Sequence, residues 1–520
     1  MKYYPKYLVL FSILVVGVHV TAFKERQRFE KGTISMLKVA YPSPWVSIEP
    51  GLQHTLVGDL LLSNQFESLT GVSATGVTIP LAAKKWEISE DFKTFRFQID
   101  TSRTFTDGTK LSAAHVKEAW QQALKKQPVS ANPGVLGLFY RVEGFETFSE
   151  TGDLSGLKVI DEETLELRLT MPMRTALENL MSSRFGIFKT STDGNYIGTG
   201  QFQLNQTADN KVLLTPRKDA NAQSDQSTKI PQIEARYLSY PESIQALLDG
   251  DVEAIAYTLA VAKIADQLLH PEVELVIGQE AAHVGIGLNS TQQSIFSQKQ
   301  MRQAFQDLIF EVLQRDSGSL PSPKLFSQDL QFFLPLQAGR ISPEEAQEII
   351  SQGKQHREEL LRQATKRPLR VGYLPWQESF VDLLREVGLA IDPEAKPLDM
   401  GTYLKLLYSL EGPDLIIQNF GMSGSDPDGL YNKFGEHGGI KTPYVFSEPV
   451  AVLLEEGRSL TNAKAIDEHY QKVNRSLLSE VPMVHIGFAR SVLAYRLDKM
   501  TLDTNLRFRG HGHLHGFRQR

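Results

Sequence analysis

The 520-residue chain contains no cysteine. Disulfide bonds, thiolate nucleophiles and cysteine-ligated zinc or iron–sulfur sites are therefore excluded. A lipid anchor attached through cysteine is excluded for the same reason. A chain without cysteine also tolerates an oxidising compartment, because it cannot form wrong disulfides.

The chain also lacks the short motifs that mark several enzyme classes. It contains no G-x-S-x-G elbow, no H-E-x-x-H, no G-x-x-x-x-G-K-[ST] loop, and no G-x-G-x-x-G after a predicted strand. We therefore expect a protein that is not an enzyme and that carries no cofactor. A hydrolase acting on cell-wall fragments is the enzymatic alternative.

Neither sign of charge dominates the composition. The chain has 55 lysines and arginines against 61 aspartates and glutamates, and a scan of the sequence finds no basic stripe. A nucleic-acid partner is therefore not expected. The hydrophobic fraction of 41% is ordinary for a globular protein, and the length suffices for two or three domains.

The first 22 residues have the composition of a secretory signal peptide. Lys2 and Lys6 form a charged start, residues 8–18 an apolar core, and residues 20–22 (VTA) a small-residue cleavage site. This pattern predicts export to a periplasm through a cleaved signal peptide. An uncleaved membrane anchor is the alternative, although the apolar run is shorter than the roughly 20 residues of a spanning helix.

The region from Leu81 to Leu124 predicts a hairpin followed by a helix. Alternating apolar and polar residues indicate strands near 86–88 and 95–99, joined by the polar turn 89–93. Ser112 is then a candidate N-cap. The apolar positions of the following helix are Val116, Trp120 and Leu124.

This region carries a long ordered pattern, A-x-x-W-E-x-S-x-D-x-x-T-x-x-F-x-x-x-x-x-x-x-F-x-D-G-x-x-L-x-A-x-x-V. It resembles the signature region of the family 5 extracellular solute-binding proteins, which are the peptide, nickel and oligosaccharide receptors of ABC importers. Residues 198–204 (GTGQFQL), 282–289 (AHVGIGLN) and 298–310 resemble further segments of the family. The resemblance extends over nearly the whole chain after residue 22.

The resemblance implies an α/β fold, namely the two-lobed periplasmic binding protein fold (type II, cluster C-like) with an extra small α+β domain in the first lobe. Strand crossings near 282–289 and 481–489 are then expected to be hinges. The implied domains are 1–22 signal peptide, 23–69 first part of lobe I, 70–190 small extra domain, 191–282 second part of lobe I, 283–484 lobe II, and 485–520 return to lobe I and tail.

Residues 369–419 show an alternation of strands and helices. Strands are predicted at 369–374, near Ala390 and at 414–419, with helices at 377–387 and 402–410. This rhythm predicts that lobe II is a parallel α/β structure.

The family resemblance also implies a function. A peptide or peptide-like solute would bind in the cleft between the lobes and be delivered to an inner-membrane ABC permease after the cleft closes. The alternative is a membrane-tethered or periplasmic sensor or scaffold with the same fold and a non-peptide ligand.

The loop after the strand 414–419 is the clearest candidate for ligand binding. Peptide receptors of the family read W-x-x-D-Y-x-x-P here, and their aspartate pairs with the α-amino group of the ligand. After Asn419, this chain has Phe420 in place of the tryptophan and Ser423 in place of the aspartate. Serine would lose much of the affinity for a free N-terminus, unless Asp426 or Asp428 serves instead. A plain turn is the alternative, because the loop has turn composition throughout.

Four further residues are candidates for ligand contact. Tyr257 and Thr258 follow a segment that resembles one whose next loop reaches the ligand in the family. Trp376 lies just past a predicted strand end, where ligands meet open α/β sheets, or it caps the core of the lobe. His485 lies on the strand that returns to lobe I, and the alternative is a satisfied core histidine.

The C-terminal sequence GHGHLHG places three histidines at alternate positions. On a strand, His511, His513 and His515 would share one face and could bind nickel or zinc. We expect no metal site, because a glycine-rich terminal segment supplies no rigid support for metal ligands.

Overall fold

A computed structural model of the chain describes residues 36–42, 45, 47–50, 56–72, 78–126, 138–208, 210–217, 232–259, 263–315, 319–335, 337–407, 409, 411–421, 426–436, 442–502 and 517–519. The predicted signal peptide, Ser423 and the three C-terminal histidines lie outside these residues. Within them, no helix is both long enough and apolar enough to cross a membrane.

The described residues form twenty strands. These are β1 Met36–Tyr41, β2 Thr70–Val72, β3 Thr78–Pro80, β4 Ala83–Ile88, β5 Thr94–Ile99, β6 Leu157–Val159, β7 Thr164–Arg168, β8 Phe188–Thr190, β9 Tyr196–Gly198, β10 Phe202–Ala208, β11 Lys211–Pro216, β12 Gln232–Tyr237, β13 Ala254–Leu259, β14 Val273–Leu288, β15 Phe326–Gln328, β16 Val371–Gly372, β17 Leu415–Gly421, β18 Met483–Arg496, β19 Met500–Leu502 and β20 Phe517–Gln519.

The α-helices of the described residues are α1 Leu56–Leu62, α2 Ala113–Lys126, α3 Phe148–Thr151, α4 Ala176–Asn179, α5 Tyr240–Asp249, α6 Lys299–Leu313, α7 Pro343–Ser351, α8 Arg357–Lys366, α9 Glu378–Glu386, α10 Met400–Leu407, α11 Tyr431–Phe434, α12 Glu448–Gly457 and α13 Ala463–Glu480. Short 3₁₀ turns lie between several of them, among them Pro375–Gln377 and Pro427–Leu430.

One large sheet connects the two halves of the molecule. Its strand order is β10-β11-β12-β1-β13-β18-β14-β17-β16, and β15 also pairs with β18. The first half of the sheet contains β1 and β10 to β13, and the second half contains β15 to β17. The long strands β14 and β18 run through both halves.

The two crossing strands have an irregular register where they pass between the halves. Residues 273–277 of β14 pair with β18 in the first half, and residues 282–287 pair with both β17 and β18 in the second. The register shifts between Ile277 and Glu280, again before Ala282, and between Val284 and Gly285. Such shifts leave residues out of the ladder and bend a strand locally. Of these shifts, only the one between Val284 and Gly285 lies within the segment 282–289 that was predicted as a hinge.

The predicted hairpin and helix are confirmed. Trp86 lies opposite Phe97 in the β4–β5 pair, and α2 follows. Both belong to a four-stranded unit, residues 83–190, whose sheet order is β4-β5-β7-β6. One continuous buried cluster includes Phe97 and Trp120 of this unit together with Val39 of the large sheet. The unit is therefore packed onto the first half.

The second half is parallel only in part. β16 and β17 are parallel, and Leu369 and Ile391 form an isolated parallel bridge. β14 and β18, in contrast, are antiparallel to each other, and β14 is antiparallel to β17. The chain enters and leaves this half through the two crossing strands, and β15 is also antiparallel to β18. The prediction of a parallel lobe therefore applies only to β16, β17 and the bridge between Leu369 and Ile391.

Candidate functional site

The carboxyl ends of β16 and β17 lie beside the crossing strands. β17 ends with Asn419, Phe420 and Gly421, and β16 is followed by the turn that carries Trp376. The carboxyl edge of parallel strands in an open α/β sheet is a common place for a ligand. Asn419 and Phe420 are partly exposed there. Trp376 is also partly buried and packs against three separate core clusters.

Two buried histidines face each other across the crossing strands. Nδ1 of His283 on β14 lies 3.1 Å from Nε2 of His485 on β18. The His283 ring also stacks on Phe420, with the ring centroids 4.6 Å apart and the planes 14° from parallel. Phe332 and Phe488 contact both histidine rings. His485 therefore supports Phe420 indirectly, through His283.

Both histidines are held in the neutral form. Burial lowers the pKa of His485 to about 3. Burial also holds the pKa of His283 well below its usual range, and the neighbouring His485 and the charge of Lys433 lower it further. A short contact between two imidazoles requires one donor and one acceptor, and the accepting ring must be neutral.

Lys433 is a cation beside this cluster that the sequence did not indicate. Its Nζ donates to Oε1 of Gln418 at 2.9 Å and lies 4.9 Å from the centroid of the Phe420 ring. Burial lowers its pKa to about 8. Gly287 of β14 makes room for Gln418, since a Cβ at Gly287 would lie 2.2 Å from Nε2 of Gln418.

The acidic residues that follow the candidate ligand loop are held by arginines. Arg174 donates to both carboxylate oxygens of Asp426, at 3.1 and 3.2 Å. Asp428 is buried next to Arg458 and accepts hydrogen bonds from Thr175 and the Tyr470 hydroxyl. Burial raises the pKa of Asp428, and the Arg458 charge opposes that shift.

Arg141 and Arg174 connect the four-stranded unit to the second half of the molecule. Arg141 is fully buried and donates to Glu455 on α12 at 2.7 Å. Arg174 also donates to the backbone carbonyls of Gly457, Arg458 and Leu460. The Tyr140 hydroxyl lies 3.3 Å from that of Tyr431. The two halves are thus in contact across the cleft, next to the site.

The structure places the remaining candidates as follows. Tyr257 and Thr258 lie on β13 in the first half, where Thr258 is in register with Val492 of β18. Ser423 and the histidines at 511, 513 and 515 lie outside the described residues. Among the described residues, no group of three or more histidine, aspartate or glutamate side chains could hold a metal ion.

Comparison with known proteins identifies the fold and the family. Residues 77–442, well over half of the chain, match the model of the bacterial extracellular solute-binding proteins, family 5 Middle. The chain belongs to this family. Family 5 consists of extracellular solute-binding proteins, so the expectation that the chain is not an enzyme is confirmed.

The relatives of this family 5 protein match it over part of their length. The dipeptide-binding protein DppE of Bacillus subtilis (strain 168) is 25% identical over 247 residues, which are 45% of this chain and 44% of DppE. The probable deoxycholate-binding periplasmic protein YgiS of Escherichia coli (strain K12) is 26% identical over 191 residues, which are 34% of this chain and 35% of YgiS. The chain thus matches less than half the length of each.

Structural similarity extends over the whole fold. The crystal structure of Haemophilus influenzae OppA in complex with RPPGFSPFR has a TM-score of 0.76 at 16% sequence identity, and the match covers 95% of this chain and 100% of that one. The two-lobed α/β fold predicted from the sequence is therefore confirmed.

Proposed function

We propose that this family 5 protein binds a peptide or peptide-like solute between its two lobes and delivers it to an inner-membrane ABC permease. Family membership and the relative named for dipeptide binding support this proposal. The observation that carries it is the position of Phe420 and Trp376 at the carboxyl ends of two parallel strands, beside the strands that join the lobes.

The proposed mechanism is closure of the cleft around the solute. Phe420 and Trp376 would stack on apolar parts of the solute, and Asn419 and Ser423 would offer hydrogen bonds. Tyr257 and Thr258 would contact it from the first lobe. Closure is favoured only to the extent that the solute binds the closed form more tightly than the open one.

A second candidate is a sensor or scaffold with a non-peptide ligand. It is favoured by the arginine partners of Asp426 and Asp428, because a carboxylate that already pairs with arginine is poorly placed to bind a free amino group. One relative is named for probable deoxycholate binding, so solutes other than peptides fit this candidate.

We propose that the two lobes are divided as the sequence predicts. We further propose that residues 1–22 are removed on export to the periplasm. N-terminal sequencing of the exported protein tests this. A start at Phe23 is the expected result, whereas retention of residues 1–22 would favour the tethered alternative.

The function is tested on protein isolated from a periplasmic extract. Native mass spectrometry would detect a bound solute, and denaturation would release it for identification. Heterogeneous peptides are the expected result. A single non-peptide compound would contradict peptide transport and support the second candidate.

The same solute then tests the site. Trp376→Ala and Phe420→Ala are each expected to weaken its binding about 10-fold or more in calorimetry, because each removes an aromatic contact surface. Phe446→Ala, which truncates an exposed phenylalanine of the same lobe, is the control. Unchanged affinity in both site variants would show that the solute binds elsewhere.

A further inference from the structure

Lys433 has an unusual position for a lysine, because it is a half-buried cation that no carboxylate of the described residues pairs with. Within the described part of the chain, its contacts are the Gln418 amide oxygen at 2.9 Å and the face of the Phe420 ring at 4.9 Å. Burial alone accounts for its lowered pKa, with no acidic neighbour to offset that shift. Removing a cation from water is costly unless an anion compensates for it.

Three acidic side chains of the same lobe already have arginine partners. Asp426 is paired with Arg174, Asp428 with Arg458, and Glu455 with Arg141. Each of these arginines lies at the contact between the lobes. Among the described residues, no carboxylate is placed to pair with Lys433, which leaves this cation open to an anionic group of a solute.

Lys433 lies beside the strand that leads into the candidate ligand loop. Gln418 and Phe420 both lie on β17, and the loop begins directly after that strand. Tyr431, two residues before Lys433, contacts Tyr140 of the four-stranded unit. The one-turn helix that carries Lys433 thus lies at the contact between the lobes.

We propose that Lys433 binds an anionic group of the transported solute, which in a peptide is a carboxylate. This proposal rests on the proposed function and specifies the charge that the site selects. The anionic end of the solute, rather than a free amino group, would lie beside Phe420. An ion pair in such a partly desolvated site is stronger than one at the surface.

Calorimetry with matched peptides tests this proposal. The probes are tri-, tetra- and penta-alanine, each as the free acid, the C-terminal amide and the N-acetylated acid. We expect the wild-type protein to bind the amides about 10- to 100-fold more weakly than the acids, because the amides lose the ion pair. Acetylation of the N-terminus is expected to change affinity little.

Substitutions of Lys433 test whether this side chain causes the preference for the free acid over the amide. Lys433→Met keeps the apolar stem and is expected to bind acid and amide alike, at the level at which the wild type binds the amide. Lys433→Arg should retain a preference for the acid. Lys405→Met removes an exposed lysine from α10 of the same lobe and should behave as the wild type.

Thermal unfolding without peptide separates a binding role from a structural one. If Lys433 serves the solute, Lys433→Met should unfold at the same temperature as the wild type or higher, because a desolvated cation is removed. A lower unfolding temperature would overturn the proposal, as would equal affinity of the wild type for acids and amides. Failure of every peptide to bind the wild type would overturn the proposed function and this proposal with it. Binding without charge preference would overturn only this one.

Discussion

The neutral pair of His283 and His485 makes the protein sensitive to acid. In an unfolded chain, both imidazoles bind a proton near pH 6.5. In the folded protein, burial lowers the pKa of His485 to about 3 and that of His283 well below its usual value. The unfolded chain therefore binds more protons than the folded one when the pH falls below 6.5. The contribution of the neutral pair to folding stability is fully present above that pH and declines below it.

We expect the free energy of unfolding to fall by up to about 1.4 kcal/mol per pH unit for each histidine below pH 6.5. Lys433 and Arg340 lie near the pair and add to the cost of protonation, while Asp329 is paired with Arg340. Urea unfolding at pH 7, 6 and 5 measures this dependence.

His485→Leu should show a shallower dependence on pH than the wild type. His270→Gln, which changes an exposed histidine, should leave the dependence unchanged. Identical slopes for the wild type and His485→Leu would contradict this explanation, whatever the absolute stability of the variant.

Gly287 on strand β14 allows the side chains of neighbouring residues to pack close to the strand. A Cβ there would lie 2.2 Å from Nε2 of Gln418, 2.9 Å from the Tyr444 side chain and 3.1 Å from that of Ile416. Gln418 in turn accepts the hydrogen bond of Lys433. The glycine therefore matters for the position of the cation as well as for the packing of the strand.

Gly287→Ala is expected to destabilise the protein by about 1–3 kcal/mol, because the added methyl group overpacks the strand. It should also weaken solute binding, since Gln418 must move. Gly421→Ala at the end of β17 is the control, because a Cβ there meets no atom within 4 Å. Equal unfolding temperatures for the two variants in a thermal scan would contradict this prediction.

The elements show how far the sequence alone predicts this fold. The β4–β5 hairpin and α2 were predictable because their signals are local, namely the alternation at 95–99 and the helical spacing of Val116, Trp120 and Leu124. For β14, only residues 282–289 were predicted. Its earlier part, before residue 282, includes polar residues such as Glu274 and Glu280, which interrupt the apolar pattern.

The site was less predictable than the fold. Phe420 and Trp376 were identified through the family resemblance and their place after strands. Lys433 carries no local signal, because its significance depends on Gln418, 15 residues away, and on the lack of a paired carboxylate among the residues that the structure describes. Arg141 and Glu455 are 314 residues apart in sequence, so their pairing follows only from the folded structure.

At the scale of the whole molecule, side chains of the two lobes are in direct contact with each other, in addition to any contact that each lobe makes with a solute. Arg174 connects the four-stranded unit to Asp426 and to three backbone carbonyls of the second lobe. Removing one partner of a buried ion pair typically costs about 3 kcal/mol. Loss of the Arg174 side chain would therefore destabilise the conformation in which the two lobes are in contact.

Arg174→Gln is therefore expected to shift the protein without solute toward more separated lobes and to weaken solute binding. Small-angle X-ray scattering should show a larger radius of gyration than for the wild type. Arg362→Gln, which breaks an exposed pair within α8, should leave the radius unchanged. An unchanged radius and affinity in Arg174→Gln would show that these contacts do not hold the lobes.

The pairing of the two crossing strands also has a consequence for engineering the chain. Ile277 of β14 and Val492 of β18 are direct partners in an antiparallel ladder, and the whole second lobe lies between them in sequence. Their Cα atoms are thus only roughly 5 Å apart. The second lobe is in effect one long insertion whose two ends meet, and a two-residue turn is long enough to join Ile277 to Val492 in its place.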